Sequence, residues 1–364
     1  MQRRTFLQTG LTAALAAPLW AAIQRDRIDA AAKIFSSAVD SGKLAAAVLH
    51  VRQRETEITR PFGLAKTPEA MFLLGSITKP ICVTALMTLF DRGQFQLEDR
   101  VQKFLPQFAG DSRDVVTIRH LLTHVSGLPD QLPENNSLRK AHATLDQFVE
   151  RAVRTPLGFA PGTKYQYSSM AILLALQVAR VISGVGILEL VERTVLQPLK
   201  MTHSALGLGQ FPLEKMIPCQ TEFAAPEAGA GDPTAKDWDW NSPYWRKLGA
   251  PWGGAHASAP DVGKFLFEFL SGQGKSIRPA TARLMITNQN PSGLTPRGLG
   301  LNIGAAAGSP GCSEQSFGHT GSTGTLAWAD PATETICVVL TSLPGGAVKP
   351  HPRELAAAQV ASAG

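Results

Sequence analysis

The periodicity of the apolar residues changes twice along this chain, and that limits its possible folds more than any other feature. After an amphipathic helix over 26–40, residues 44–52 and 55–61 have the short apolar alternation of strands. Residues 76–91 predict a helix with an apolar face at Ile81, Ala85, Thr88 and Leu89, stopped by Arg92-Gly93. Helical spacing then dominates from about 115 to 275, over 117–123, 145–154, 168–183, 187–195 and 259–271. Strand patterns return at 298–304, 323–330 and 335–342, and a closing helix covers 353–361. Strands at both ends around a helical middle imply one sheet built from both termini, flanked by helices, with a large helical lobe inserted. This is an α+β chain. The sheet lobe is expected over about 23–110 and 280–364, and the helical lobe over 111–279.

Residues 1–22 are not expected to belong to the fold. Gln2-Arg3-Arg4-Thr5-Phe6-Leu7 precedes an Ala-rich apolar stretch ending near Trp20-Ala21-Ala22, which reads as a secretory signal of the twin-arginine type. Ala14-Leu15-Ala16 fits small-x-small spacing better than Leu19-Trp20-Ala21, where the apolar stretch ends, which leaves the cleavage point open. The expected location is the periplasm or the cell exterior. No later apolar run reaches the ~18–20 residues of a spanning helix, so no stable membrane insertion is expected once the signal is removed.

With 44% hydrophobic and 18% charged residues, the chain is excluded from the disordered class. The formal charge of +6 falls to +4 without Arg3 and Arg4, and no Lys/Arg run stands out, so nucleic acid is not an expected partner. The four cysteines, Cys82, Cys219, Cys312 and Cys337, lack the close spacing of a thiolate zinc site or a redox pair. Cys82 and Cys337 lie in apolar runs and read as buried small hydrophobes. Neither metal nor cofactor is expected.

Chemistry concentrates at three separated motifs. Ser76-Ile77-Thr78-Lys79 opens a helix, where residues three apart share a face and Lys79 Nζ can lie beside Ser76 Oγ. A serine hydroxyl is a poor nucleophile until a neighbour removes its proton, and a partly buried lysine can do so. Tyr165-Gln166-Tyr167-Ser168-Ser169 follows the turn at Ala160-Pro161-Gly162-Thr163 and leads into an apolar helix, for which Ser168 or Ser169 suits the cap. Gly318-His319-Thr320-Gly321-Ser322-Thr323-Gly324 opens a strand and is no phosphate loop, because no Lys-Ser/Thr pair or helix follows.

In this order the motifs resemble the serine β-lactamase/penicillin-binding superfamily, specifically its class C β-lactamases, D-Ala-D-Ala carboxypeptidases and related esterases. The resemblance runs from about residue 30 to 345 and includes Leu74-Gly75 before Ser76, Leu121-Leu122-Thr123-His124-Val125-Ser126-Gly127-Leu128, and Pro161-Gly162-Thr163. It implies the β-lactamase/transpeptidase-like fold and a serine hydrolase working through an acyl-enzyme. By position, Ser76 matches the acylated nucleophile and Lys79 its activating partner. Tyr167 matches the tyrosine that passes a proton to the leaving group and activates the deacylating water. His319 takes the first position of the family's Lys/His-Thr-Gly motif, with Thr320 and Gly321 beside it. The resemblance makes the amides of Ser76 and Ser322 the oxyanion hole.

One position departs from the pattern. Ser169 stands where the family usually has Asn, whose amide binds the substrate's side-chain carbonyl and helps orient the lysine. The shorter hydroxyl can do only part of this, which weighs against efficient β-lactam or peptide hydrolysis; esters or D-amino-acid-type amides are the expected substrates, with a β-lactamase or D-Ala-D-Ala carboxypeptidase proper as the alternative. The expected partner is therefore a small ester or peptide substrate. The aromatic loop with Trp238, Trp240, Tyr244, Trp245 and Trp252 suits either an acyl pocket, with Trp252 in substrate contact, or simple packing. His120 and His124 have the i, i+4 spacing of half a metal site but no adjacent Glu, and a structural role is expected. Asp232, Asp237 and Asp239 read as solvated. An α/β-hydrolase is excluded, since no serine has glycine at both −2 and +2. A binding or sensor protein on the same fold is the other class to test, and it would be expected to lose a catalytic side chain.

Overall fold

The computed structural model describes residues 24–362. The twin-arginine leader therefore lies outside the described residues. In chain order the helices and strands are α1 (Arg25–Asp40), β1 (Ala46–Gln53), β2 (Thr56–Gly63), β3 (Phe72–Leu73), α2 (Thr78–Asp91), α3 (Ile118–Leu122), α4 (Asn135–Lys140), α5 (Leu145–Ala152), α6 (Ser169–Ser183) and α7 (Ile187–Val191). They continue as β4 (Ser204–Leu206), α8 (Pro243–Leu248), β5 (Ala255–Ala257), α9 (Ala259–Ser271), α10 (Pro279–Met285), β6 (Asn302–Ile303), β7 (Phe317–Gly321), β8 (Thr325–Asp330), β9 (Thr335–Thr341) and α11 (Pro352–Ala361).

One six-stranded antiparallel sheet has the order β2-β1-β9-β8-β7-β6, so the first hairpin pairs with the last strand, with Val48 opposite Leu340. β9 is buried along its whole length because both faces are covered. Its Ile336, Val338 and Leu340 enter the main core, while Cys337 and Val339 point to a second core with Ile28, Phe35, Trp328 and Val360 under α1 and α11. A second sheet of three short strands, β3-β5-β4, joins the segment leading to Ser76 to the helical part.

Several elements differ from the sequence expectation. α2 is buried on every side from Thr78 to Leu89, including Lys79 and Thr84, and so has no solvated face. The helix predicted over 187–195 turns into a π-helical turn after Val191. The strand predicted over 298–304 pairs only at Asn302 and Ile303, whereas the glycine-rich segment Phe317–Gly321 is itself an interior strand. α9, within the stretch assigned to the helical lobe, packs against β1, β8 and β9. Its Phe265 and Phe269 lie in the main core, and Phe269 meets Phe317 at 5.9 Å between ring centroids.

Candidate active site

Ser76 sits in a 3-10 turn, Gly75–Ile77, that runs straight into α2. Two threonines fasten this turn to the strands: Thr323 Oγ1 donates to Leu73 O at 2.7 Å, and Thr325 Oγ1 donates to Leu74 O at 2.6 Å. Gly75 has φ +56°, and a Cβ there would lie 2.9 Å from Thr323 Oγ1 and 3.2 Å from Ser322 N. Only glycine suits this conformation and clearance. The close approach brings the Ser322 amide up to the Ser76 turn, the arrangement that the expected oxyanion hole requires.

Lys79 is fully buried, and its Nζ donates to Ser76 Oγ at 3.0 Å and to the Trp252 carbonyl at 2.8 Å. Burial lowers its pKa to about 7; Asp130 opposes this and Arg297 adds to it. A large neutral fraction at pH 7 gives the amine a lone pair for the seryl proton. Tyr167 stands immediately before α6, whose cap fixes it. Ser168 Oγ accepts from Ala171 N at 2.9 Å and donates to Pro129 O at 2.8 Å, and Ser168 N donates to His124 Nδ1 at 3.1 Å. The Tyr167 ring lies 4.6 Å from the His124 ring and 4.8 Å from Lys79 Nζ. Its hydroxyl is buried, with the Ser76 side chain beside it. Burial pushes its pKa above the ordinary tyrosine value, with Ser76 pulling the other way. Tyr167 therefore keeps its proton at neutral pH, and Lys79 is the group suited to take one.

β7 places its residues by alternation. Thr320 and Ser322 are exposed along the cleft, and His319 is buried. The His319 ring has both nitrogens engaged: Nδ1 with Thr320 O at 2.7 Å and Nε2 with Arg297 Nη2 at 3.0 Å. Burial first, then Arg297 and Lys79, hold it well below the ordinary histidine pKa. It is thus a neutral, enclosed ring behind Tyr167 rather than a group free to exchange protons with substrate. Ser169 also differs from expectation. Its N and Oγ both donate to Asp130 Oδ1, at 2.8 and 2.6 Å, so the hydroxyl is committed to a carboxylate. Trp252 serves the site through its carbonyl, while its ring packs between Phe148 and Trp245 at 5.5 and 6.0 Å.

Three residues of this cluster were not singled out as site residues from the sequence. Asp130 follows the Leu-Thr-His-Val-Ser-Gly segment by three positions, and a carboxylate so near that motif was the available signal. His124, for which a structural role was expected, lies beyond the end of α3 at φ +62°. His120 instead caps α3, with its Nδ1 accepting from Thr117 N at 3.3 Å. Arg297, in Pro296-Arg297-Gly298, gave no signal, because its partners come from distant segments.

A recess of about 320 Å³ borders the strand at Thr320, Gly321 and Ser322, with Phe223, Trp240 and Gly345 opposite. A larger groove of about 830 Å³ lies away from Ser76, between His142, Gln177 and Tyr244, and contains none of the expected site residues. Of the aromatic loop, Trp240 alone borders the smaller recess. Trp238 and Trp245 are buried around Arg139, whose Cζ is 3.9 Å from the Trp245 ring. Asp239 is buried rather than solvated and accepts from Asn241 N and Ser242 N, stapling that loop. All four cysteines are free thiols, and Cys82 and Cys337 are buried as expected.

Comparison with known proteins bears on the family and the fold. The Beta-lactamase family model matches residues 31–362. Esterase EstB of Burkholderia gladioli is 34% identical over 198 residues, 48% of this chain and 50% of the esterase, so the alignment spans half of that relative. A protein of Escherichia coli (strain K12), assigned by inference as a D-alanyl-D-alanine carboxypeptidase, is 25% identical over 88% of this chain and 83% of its own. Among solved structures, a penicillin-binding protein homologue from Caulobacter crescentus superposes with a TM-score of 0.75 at 19% identity, covering 94% of this chain and 98% of that one.

Proposed function

The chain belongs to the Beta-lactamase family of serine hydrolases, and on that premise we propose that it hydrolyses small esters through an acyl-enzyme on Ser76. The observation that carries this reading is the fully buried amine of Lys79, 3.0 Å from Ser76 Oγ and with a pKa of about 7. Ser76 Oγ attacks the substrate carbonyl carbon while its proton passes to Lys79 Nζ. The amides of Ser76 and Ser322 take up the charge on the tetrahedral oxygen. On collapse the carbon–oxygen bond to the leaving group breaks, and the alkoxide takes the Tyr167 phenolic proton, which the Lys79 ammonium replaces. Water then attacks the acyl carbon, its proton goes to Lys79, and the acid leaves as Ser76 Oγ is reprotonated.

The ester preference rests on Ser169, whose hydroxyl is turned to Asp130, and on the enclosed neutral ring of His319. A lactam or peptide that needs an amide donor and a fixed cation at these positions meets neither, and sites built on hydrogen bonding discriminate strongly against a missing partner. The recess beside Ser322, with Phe223 and Trp240, suits an apolar substituent. We place the mature enzyme in the periplasm or outside the cell, on the strength of the leader carrying Arg3 and Arg4.

The test is kcat/KM of the purified protein for a short-chain aryl ester, a chromogenic cephalosporin and a D-Ala-D-Ala peptide, with a serine-directed covalent probe. The ester is expected to be the best substrate by a wide margin, and labelling should fall on the peptide carrying Ser76 and vanish in Ser76→Ala. Labelling of another serine, or a cephalosporin value equal to the ester's, would overturn the reading.

A further inference from the structure

Arg297 lies buried at the back of the cluster, 3% exposed, and performs no step in the reaction above. Its Nη1 donates to Asn302 Oδ1, and its backbone N donates to Asn288 Oδ1 at 3.0 Å. Nη2 lies 3.0 Å from His319 Nε2 and 3.2 Å from His124 Nε2. A carbonyl oxygen only accepts, so the 2.7 Å contact of His319 Nδ1 with Thr320 O puts that ring's proton on Nδ1 and leaves the Nε2 lone pair for the guanidinium. His124 is arranged the other way. Its Nδ1 accepts from Ser168 N, so its proton sits on Nε2 and meets Arg297 as one donor facing another. The guanidinium therefore bonds to His319 and only packs against His124. Its side-chain bonding partners are neutral, an amide oxygen and an imidazole, so its charge stays undiminished 5.6 Å from the Tyr167 ring.

We propose that Arg297 is a positioning residue that holds the His319 ring at Nε2, opposite the Thr320 carbonyl at Nδ1, and sets a fixed positive charge against the Tyr167 ring that Lys79 Nζ also faces, where it opposes the ammonium during acylation. This rests on Lys79 acting as the base. The groups facing Lys79 come from every side. Ser76 and Cys82 adjoin it at the start of α2, Asp130 follows α3, Tyr167 precedes α6, Trp252 offers its carbonyl, and His124, His319 and Arg297 close the back. Of the charged groups among these, Asp130 favours the ammonium and Arg297 opposes it. With both histidines neutral, Arg297 is the cation that offsets Asp130.

Two variants separate the two roles. Arg297→Gln removes the charge but retains an N–H donor for His319, and Arg297→Met removes both. The acid limb of kcat/KM for an aryl ester should move to higher pH by about one unit in each variant, the size typical of a nearby charge. A loosened structure alone would lower the plateau without moving the limb, so an unmoved limb overturns the charge role. Nitrogen-15 NMR of the wild-type protein should show His319 protonated on Nδ1 alone with its Nε2 lone pair hydrogen-bonded, and that Nε2 bond lost in Arg297→Met and kept in Arg297→Gln. A wild-type ring protonated on Nε2 overturns the lock. The NMR result does not depend on turnover, so it decides the lock even if either variant is unstable. Absence of any esterase activity in the wild type would defeat the hydrolase reading instead.

Discussion

Replacing Lys79 by methionine should abolish catalysis and yet stabilise the fold. The amine's pKa falls from 10.5 to about 7 on burial. Each unit is worth 1.36 kcal/mol, so the native state is disfavoured by about 4–5 kcal/mol at pH 7 relative to an unshifted lysine. Methionine has nearly the same length and no charge to desolvate. Against that gain stand the hydrogen bonds to Ser76 Oγ and Trp252 O, about 1 kcal/mol each, and a similar penalty for leaving the buried carbonyl unpaired. The net expectation is a variant about 1–3 kcal/mol more stable at pH 7. The sign with pH follows from the native pKa lying below the unfolded one: the unfolded chain holds the extra proton between about 7 and 10.5. Wild-type stability therefore rises with pH through this window and is lost as pH falls through it. Urea denaturation at pH 7.0 and 8.5 should show a wild-type gain of about 1–2 kcal/mol that is missing in Lys79→Met. The range stops short of 9.0, the ordinary value above which the free thiols titrate. A Lys79→Met protein with the wild-type slope, or one less stable at pH 7, would refute the argument.

Asp130→Asn removes the carboxylate that favours the Lys79 ammonium, so the acid limb of kcat/KM should move to lower pH, opposite to the Arg297 variants; a shift upward would reverse the assigned electrostatics. Gly75→Ala places a methyl group 2.9 Å from Thr323 Oγ1 at a left-handed φ, and is expected to cost about 2 kcal/mol in denaturation and at least about tenfold in kcat through the displaced Ser322 amide. Five buried neutral histidines have lowered native pKa values, His50 and His351 to about 4, His256 to about 3, and His124 and His319 also downward. Their contribution is complete above the unfolded value of 6.5 and is lost below it, so calorimetry should find Tm falling steeply from pH 6.5 to 5, on the order of 1 kcal/mol for each histidine. A flat Tm over that range would mean that these rings are charged in the native state.

The sequence made the nucleophile turn, the tyrosine before α6 and the strand pattern at both ends legible because each is local. A serine and lysine three apart on a helix meet by geometry alone, and β1 and β9 carry their own period. The glycine-rich β7 was legible only as the opening of the strand at 323–330, since Gly318 and Gly321 look like turn residues; they are small because Trp328 Cα and Leu74 O lie where a Cβ would go, at 2.8 and 2.2 Å. The state of His319 was illegible for another reason. A motif names the residue but not the guanidinium from 22 positions earlier that meets its ring. Ser169 likewise looked like a truncated substrate contact until Asp130, 39 residues away in sequence, was seen to hold it. The tryptophan loop was ambiguous because burial and pocket lining call for the same residue type.

The pairing of β1 with β9 has a consequence for how the molecule is made. Val48 waits for Leu340, and Leu73 and Leu74 wait for Thr323 and Thr325, so Ser76 emerges from the ribosome about 250 residues before the strand that completes its site. A growing chain can assemble helices around α2 and α6, but not the close approach of Gly75 to the Ser322 amide. Such distant pairing also predicts slow folding, because the loop must close before any contact rewards it. The same topology brings the described ends together, where α1 lies against α11 and Arg27 Nη1 donates to Gln359 Oε1 at 3.3 Å. Joining those ends through a short linker and reopening the chain in the exposed stretch near Gly231 would place the strand carrying His319 first and the nucleophile second. The rearranged enzyme would then be translated with its oxyanion strand already waiting when Ser76 appears.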